Sequence, residues 1–278
     1  MNHRIDSHQH FWKFNSVVHA WIDDSMHKIQ RDFLPKDLEP LLQDNKFTGC
    51  IAVQADQTEK ETEFLIGLAK EHDFIKGVVG WADLLDEKVG ERLEYFSDEK
   101  KLKGFRHVVQ GEPDGFMLRK DFRRGVAALK QFGYTYDILV FHHQLPDAIK
   151  LAALFPDQPF VLDHVAKPDL RTGNINIWKA NMKELAKAEN VLCKVSGMVT
   201  EAHWDRWTTD DLKPCLDAVF ENFTPNRLLF GSDWPVCTVA AGYAKVVTTL
   251  QDYMAQLSHI EQDQVWFKNA QAFYNLDI

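Results

Sequence analysis

A single (β/α)8 barrel of the TIM type, an α/β fold, is what this 278-residue chain predicts. Short apolar runs recur along it, and each leads into a stretch whose apolar residues return at spacings of three and four. Side chains able to do chemistry collect where the runs end. Eight such strand-and-helix units within about 250 residues is the size of one barrel.

The runs, in order, are Ile5 to His8, Gly49 to Gln54, Lys76 to Trp81, Lys103 to His107, Tyr136 to Phe141, Phe160 to Asp163, Val191 to Val195 and Arg227 to Gly231. Between them, Phe64, Leu65, Leu68 and Ala69 mark one amphipathic helix; Phe122, Val126 and Leu129 mark another, stopped by Gly133; Leu216, Val219, Phe220 and Phe223 mark a third. Their apolar faces are core surfaces. A doubly wound open sheet uses the same repeating unit, but no GxGxxG follows the first run and no GxxxxGK[ST] occurs, so its phosphate-binding turns are missing. No repeat, low-complexity tract or Pro/Ser linker divides the chain, and residues 1–278 read as one domain. Residues 11–47 exceed the usual βα loop of about 2–6 residues even after a helix is allowed for, and they carry the mixed aromatic and polar stretch HAWIDDSMH. They are expected to form a lid insertion after the first strand, with Trp21 as its substrate contact and His19 and His27 as ordinary loop residues.

A composition of 45% hydrophobic and 26% charged residues is that of a globular protein, and a formal net charge of -9 disfavours nucleic acid as a partner. The four cysteines form no CxxC pair, which fits a reducing compartment. The polar residues after Met1 do not resemble a signal peptide, and no apolar run approaches the roughly 20 residues that span a bilayer. A cytoplasmic protein with no membrane partner is expected.

The active groups of a barrel lie at the C-terminal ends of its strands. Here the first run leads into Asp6, His8 and His10, which share one face if the strand persists; the fourth ends in Arg106 and His107; His142 and His143 follow the fifth; the sixth ends in Asp163 and His164; Ser232 and Asp233 follow the eighth. Histidines at i and i+2 on a strand can grip one metal ion or one polarised oxygen, and a carboxylate across the barrel can close the site as a ligand or as a base on water. His8, His10 and Asp233 fit that arrangement.

Three motifs, DSHQHFW at 6–12, VLDHVAKP at 161–168 and LLFGSDWPV at 228–236, resemble the amidohydrolase superfamily, and within it the branch of sugar-lactone hydrolases that includes the L-fuconolactonases and L-rhamnonolactonases. The resemblance runs from the first strand to the last. It implies that Asp233 is the general base for hydrolytic water, and that His8, His10 and His164 polarise the carbonyl or, with Asp233, hold one divalent ion, zinc first, which such lactonases can do without. His142 could add a ligand. Arg106 and His107 stand where a binuclear member carries a bridging Lys or Glu, so two metals are not expected. The implied reaction is hydrolysis of an aldonolactone, such as L-fuconolactone or L-rhamnonolactone, to the sugar acid. A metal-dependent amidohydrolase or decarboxylase acting on a small carboxylate is the alternative, and a non-catalytic carbohydrate- or metal-binding barrel is a third reading. A hydroxyl-rich ring needs hydrogen-bonding groups and aromatic faces, which points to Trp21, Arg106, His107 and Trp234. Lys194 and Asp137 either reach the substrate or pair inside the barrel, since burial of either charge requires a partner.

Overall fold

The computed structural model describes residues 3–278. Eight strands, β1 (Ile5–Gln9), β2 (Gly49–Val53), β3 (Ile75–Gly80), β4 (Leu102–Val108), β5 (Thr135–Leu139), β6 (Phe160–Leu162), β7 (Val191–Val195) and β8 (Leu228–Phe230), stand side by side in sequence order in one parallel sheet. Each overlaps a run anticipated above, because strands covered on both faces are apolar at nearly every position. The helices α1 (Pro35–Asp44), α2 (Glu59–Glu71), α3 (Val89–Tyr95), α4 (Lys120–Gln131), α5 (Leu145–Leu154), α6 (Asn176–Leu185), α7 (Met198–Glu201), α8 (Thr209–Phe223), α9 (Tyr243–Met254), α10 (His259–Asp263) and α11 (Asn269–Phe273) lie between and after the strands. The three helices read from periodicity are α2, α4 and α8. Gly133, just past α4, takes φ +73, a left-handed turn that glycine enters at no steric cost.

Two apolar clusters divide the interior. The larger packs the helices on the outside of the sheet, while Ile5, Ile51, Val53, Val79, Val161 and Leu229 form a smaller one with Ala270, Tyr274 and Leu276. The C-terminal segment thus closes the N-terminal end of the barrel, and the chemistry is left to the other end.

The seam between β1 and β8 is closed by the chain that follows β8. The Asp233 amide donates to the His8 carbonyl at 2.8 Å, and the His10 amide donates to the Trp234 carbonyl at 2.7 Å. The amide of Ser232 donates to the Asp6 carboxylate at 2.9 Å, and the Ser7 hydroxyl donates to the Phe230 carbonyl at 2.5 Å. These bonds close the barrel and lay the histidines of β1 beside Asp233. Among the described residues no helix is long and apolar enough to cross a membrane.

Candidate active site

The pairing of β1 with β2 shifts register between Asp6 and Gln9, and the three residues expected to share one face therefore do not. The Asp6 carboxylate turns to the Ser232 amide and to the Tyr243 hydroxyl of α9, at 3.0 Å, where burial pushes its pKa to about 6. His8 and His10 turn into the mouth. The two imidazoles meet edge to face, with Nε2 atoms 3.2 Å apart.

His164 arrives from the end of β6 on an uncommon backbone. His164, Val165, Ala166 and Lys167 all have φ between 47 and 58, a short left-handed turn that costs L-residues energy and must be held by its surroundings. The Trp178 indole donates to the Val165 carbonyl at 2.7 Å, and the Lys167 amide donates to the His164 carbonyl at 2.8 Å. Gly197, at φ +66 after β7, leaves room for the ring, since a Cβ there would lie 2.6 Å from His164 Nδ1. Gly231 does the same for His8, whose Cβ would stand 2.6 Å from an added methyl. Asp233 is also left-handed, at φ +58.

The result is a convergence on one oxygen. Asp233 Oδ1 lies 3.5 Å from His10 Nε2, 3.8 Å from His164 Nε2 and 4.0 Å from His8 Nε2, and all four side chains are buried. Burial pushes His8 and His164 well below the usual imidazole range, so both are neutral at pH 7. Burial opposes ionisation of Asp233 as well, but His164 and His10 beside it outweigh that and hold the carboxyl below its ordinary value. An ionised base thus faces the neutral imidazoles of His8 and His164. His10 Nδ1 sits 2.8 Å from the Val53 carbonyl, which can only accept, so its hydrogen is on Nδ1 and its Nε2 lone pair faces the site. His164 Nδ1 lies 2.9 Å from the Ser196 hydroxyl.

Beneath these groups the barrel interior carries a chain of charges. Arg106 Nη1 donates to Asp163 Oδ2 at 3.0 Å, and Lys194 Nζ lies 3.0 Å from Asp163 Oδ1 and 2.5 Å from Asp137 Oδ2. Two cations and two carboxylates balance, as burial of each requires. Burial alone would raise Asp163, but Lys194, His8 and Arg106 hold it well below the carboxylate range, while burial pushes Asp137 up to about 6. Asp163, which the sequence places with His164 at the sixth strand's exit, has no role assigned to it there, and the structure makes it the anchor of these cations. The signal was present: it stands two residues after inward-facing Val161.

The structure does not gather every anticipated residue. Neighbours on a strand face opposite ways, so while Arg106 points inward, His107 packs face to face on Phe116 at 4.8 Å and reaches Glu112 at 2.9 Å. His142 bonds through Nδ1 to the Lys167 carbonyl at 3.1 Å and belongs to neither metal-capable group of the described residues. Trp234 is buried edge-on against Phe33 at 5.2 Å and Phe11 at 6.2 Å. Trp21 is 44% exposed and stands edge-on to Trp12, whose own ring is 6.4 Å from that of His10. Backbone bonds between Trp12 and Phe33, at 3.0 and 2.9 Å, pin the two ends of that stretch together.

A family model described as amidohydrolase matches residues 5–276. The chain belongs to the amidohydrolase family. Among relatives of this amidohydrolase, the L-fucono-1,5-lactonase of Burkholderia multivorans (strain ATCC 17616 / 249) is 42% identical, over 98% of this chain and 96% of its own. The L-fucono-1,5-lactonase of Burkholderia ambifaria is 33% identical, over 100% of this chain and 97% of its own. A crystal structure of an amidohydrolase from Burkholderia multivorans with bound zinc superposes with a TM-score of 0.96 at 41% identity, covering 99% of each chain.

The donor set of this amidohydrolase fits a divalent ion. A tetrahedral zinc with bonds of about 2.1 Å places its ligand atoms roughly 3.4 Å apart. The contacts of 3.2 to 4.0 Å among His8, His10 and Asp233 bracket that spacing, and His164 Nε2 stands 3.8 Å from the same Asp233 oxygen. His8, Asp163 and His164 form a second group of suitable spacing, but both Asp163 oxygens already meet buried cations, which makes Asp163 the poorer ligand.

Proposed function

We propose that this amidohydrolase opens the ring ester of an aldonolactone, L-fucono-1,5-lactone first, and releases the sugar acid. The observation that carries the reading is one ionised carboxylate, Asp233, surrounded by three imidazoles at the barrel mouth; the two lactonase relatives of nearly full length support the substrate class.

His10 Nε2 and Asp233 Oδ1 are both acceptors, 3.5 Å apart, and together can hold the two hydrogens of one water. Asp233 takes one hydrogen as the water oxygen bonds to the lactone carbonyl carbon. Negative charge then grows on the carbonyl oxygen, with Arg106 a fixed positive group at the Nε2 edge of His8, its Nη1 being 3.3 Å from that atom. As the bond from that carbon to the ring oxygen breaks, Asp233 returns the proton to the departing oxygen, leaving a hydroxyl and a carboxylic acid. His8, His10, His164 and Asp233 would hold a zinc ion, which supplies Lewis-acid polarisation of the carbonyl and a more acidic water. Residues 11–47 roof this mouth, and Trp21, on their exposed stretch, offers its ring face to the sugar; residues 1–278 act as one domain.

A pH-indicator assay over a panel of aldonolactones, with and without a chelator, tests the reading. Turnover is expected to be fastest with 6-deoxy aldono-1,5-lactones, and restored by zinc wherever chelation lowers it. Failure to turn over any lactone, with or without metal, would remove the proposal.

A further inference from the structure

His8 is an imidazole of the site whose hydrogen the surroundings do not place at once. Each of its ring nitrogens faces one group that can only donate and one that accepts. At Nδ1 these are the Lys194 ammonium, 3.1 Å away, and Asp163 Oδ1, 3.2 Å away. At Nε2 they are Arg106 Nη1, at 3.3 Å, and His10 Nε2, at 3.2 Å, whose lone pair is fixed by the Val53 carbonyl on the far side of its ring. A neutral imidazole carries one hydrogen, so two complete arrangements exist. With the hydrogen on Nε2, His8 donates to His10 and accepts from Lys194. With it on Nδ1, His8 donates to Asp163, accepts from Arg106 and offers Nε2 as a lone pair.

We propose that His8 works in both tautomers, as a hydrogen-bond donor when no metal is bound and as a ligand when one is, and that Lys194 and Asp163 are the positioning residues that hold the two forms. Two details favour the donor form without metal. In the other form the lone pairs of His8 and His10 would face each other across 3.2 Å, an unfavourable contact that a cation between them removes. The Lys194 ammonium gives hydrogen bonds to Asp137 Oδ2 and, only in the donor form, to His8 Nδ1, with Asp163 Oδ1 3.0 Å away as an ionic contact. Asp137 is held in turn by the Tyr274 hydroxyl at 2.9 Å, so the C-terminal segment that closes the barrel floor braces the same chain. Only the catalytic consequence, donation from His8 to the oxyanion, rests on the lactone reading.

Imidazole ¹⁵N spectra of the whole protein, stripped of metal and then loaded with zinc, test the proposal without any substrate, so its failure is separate from failure of the lactone reading. The hydrogen of His8 is expected on Nε2 in the stripped protein and on Nδ1 after loading. In the charge-balanced double variant Lys194→Met, Asp137→Asn the donor form loses its partner at Nδ1, and zinc affinity, measured by competition with a chromophoric chelator, should tighten by about 10-fold, the lower end of what partners of a ligand typically control. A residue that merely supported the site would weaken zinc binding when removed. A stripped wild-type protein with the hydrogen already on Nδ1, or a folded double variant with unchanged or weaker zinc affinity, overturns the proposal. If the double variant does not fold, the wild-type spectra alone decide.

Discussion

Asp233→Asn should lower lactone turnover by about a thousandfold, within the range a positioned general base supplies, while the protein keeps its fold. The two expectations have separate causes. Loss of activity follows because an amide cannot take the proton of the water held against His10, and a thousandfold is about 4 kcal/mol of barrier. Retention of the fold follows because the residue's structural duty is carried by its main chain, through the amide bond to the His8 carbonyl that closes the barrel seam. Its φ of +58 is one that Asn tolerates better than most residues. Steady-state kinetics together with a thermal melt check both halves. Near-wild-type turnover would take the base role away from Asp233.

Asp163→Ala should be the most damaging single change to stability, costing about 3–5 kcal/mol, because it leaves buried cations without a counter-charge. Arg106 would lose its carboxylate, and Lys194 would keep Asp137 as its only one, in a part of the barrel where Lys194, Asp137 and Asp163 are fully inaccessible. Burial alone would raise Asp163, yet Lys194, His8 and Arg106 hold it well below the carboxylate range. Its contribution is therefore present above about pH 4, the unfolded value, and fades only as pH falls through the lower folded value. Urea unfolding at pH 7 measures the loss, and a decrease below about 1 kcal/mol would show that the interior charges are not mutually dependent.

The strands were legible because a strand of a parallel barrel is buried on both faces and therefore stands out as an unbroken apolar run. The motif residues were legible because the barrel places its chemistry at strand ends, and the structure does bring His8, His10, His164 and Asp233 together. What eluded the sequence was direction. The register shift in β1 sends Asp6 outward to Tyr243, and the alternation of β4 parts Arg106 from His107. Neither event leaves a mark in residue type. The chain beneath the site draws on β4, β5, the end of β6, β7 and the C-terminal segment, and its trace in the sequence of β5 and β7 is one charge within each apolar run, Asp137 in YDILV and Lys194 in VLCKV. Those two were read as either substrate contacts or interior partners; the structure pairs them at 2.5 Å. Tyr274 gave no signal at all, since an aromatic near a chain end is ordinary.

Hydrolysis of L-fucono-1,5-lactone in ¹⁸O-labelled water, with the product analysed by mass spectrometry, tests the central claim most directly, that water is delivered to the carbonyl carbon beside Asp233. One ¹⁸O is expected in the carboxylate of the sugar acid and none in the hydroxyl released from the ring. Label in that hydroxyl would mean that water attacks the ring carbon instead, and would contradict the account.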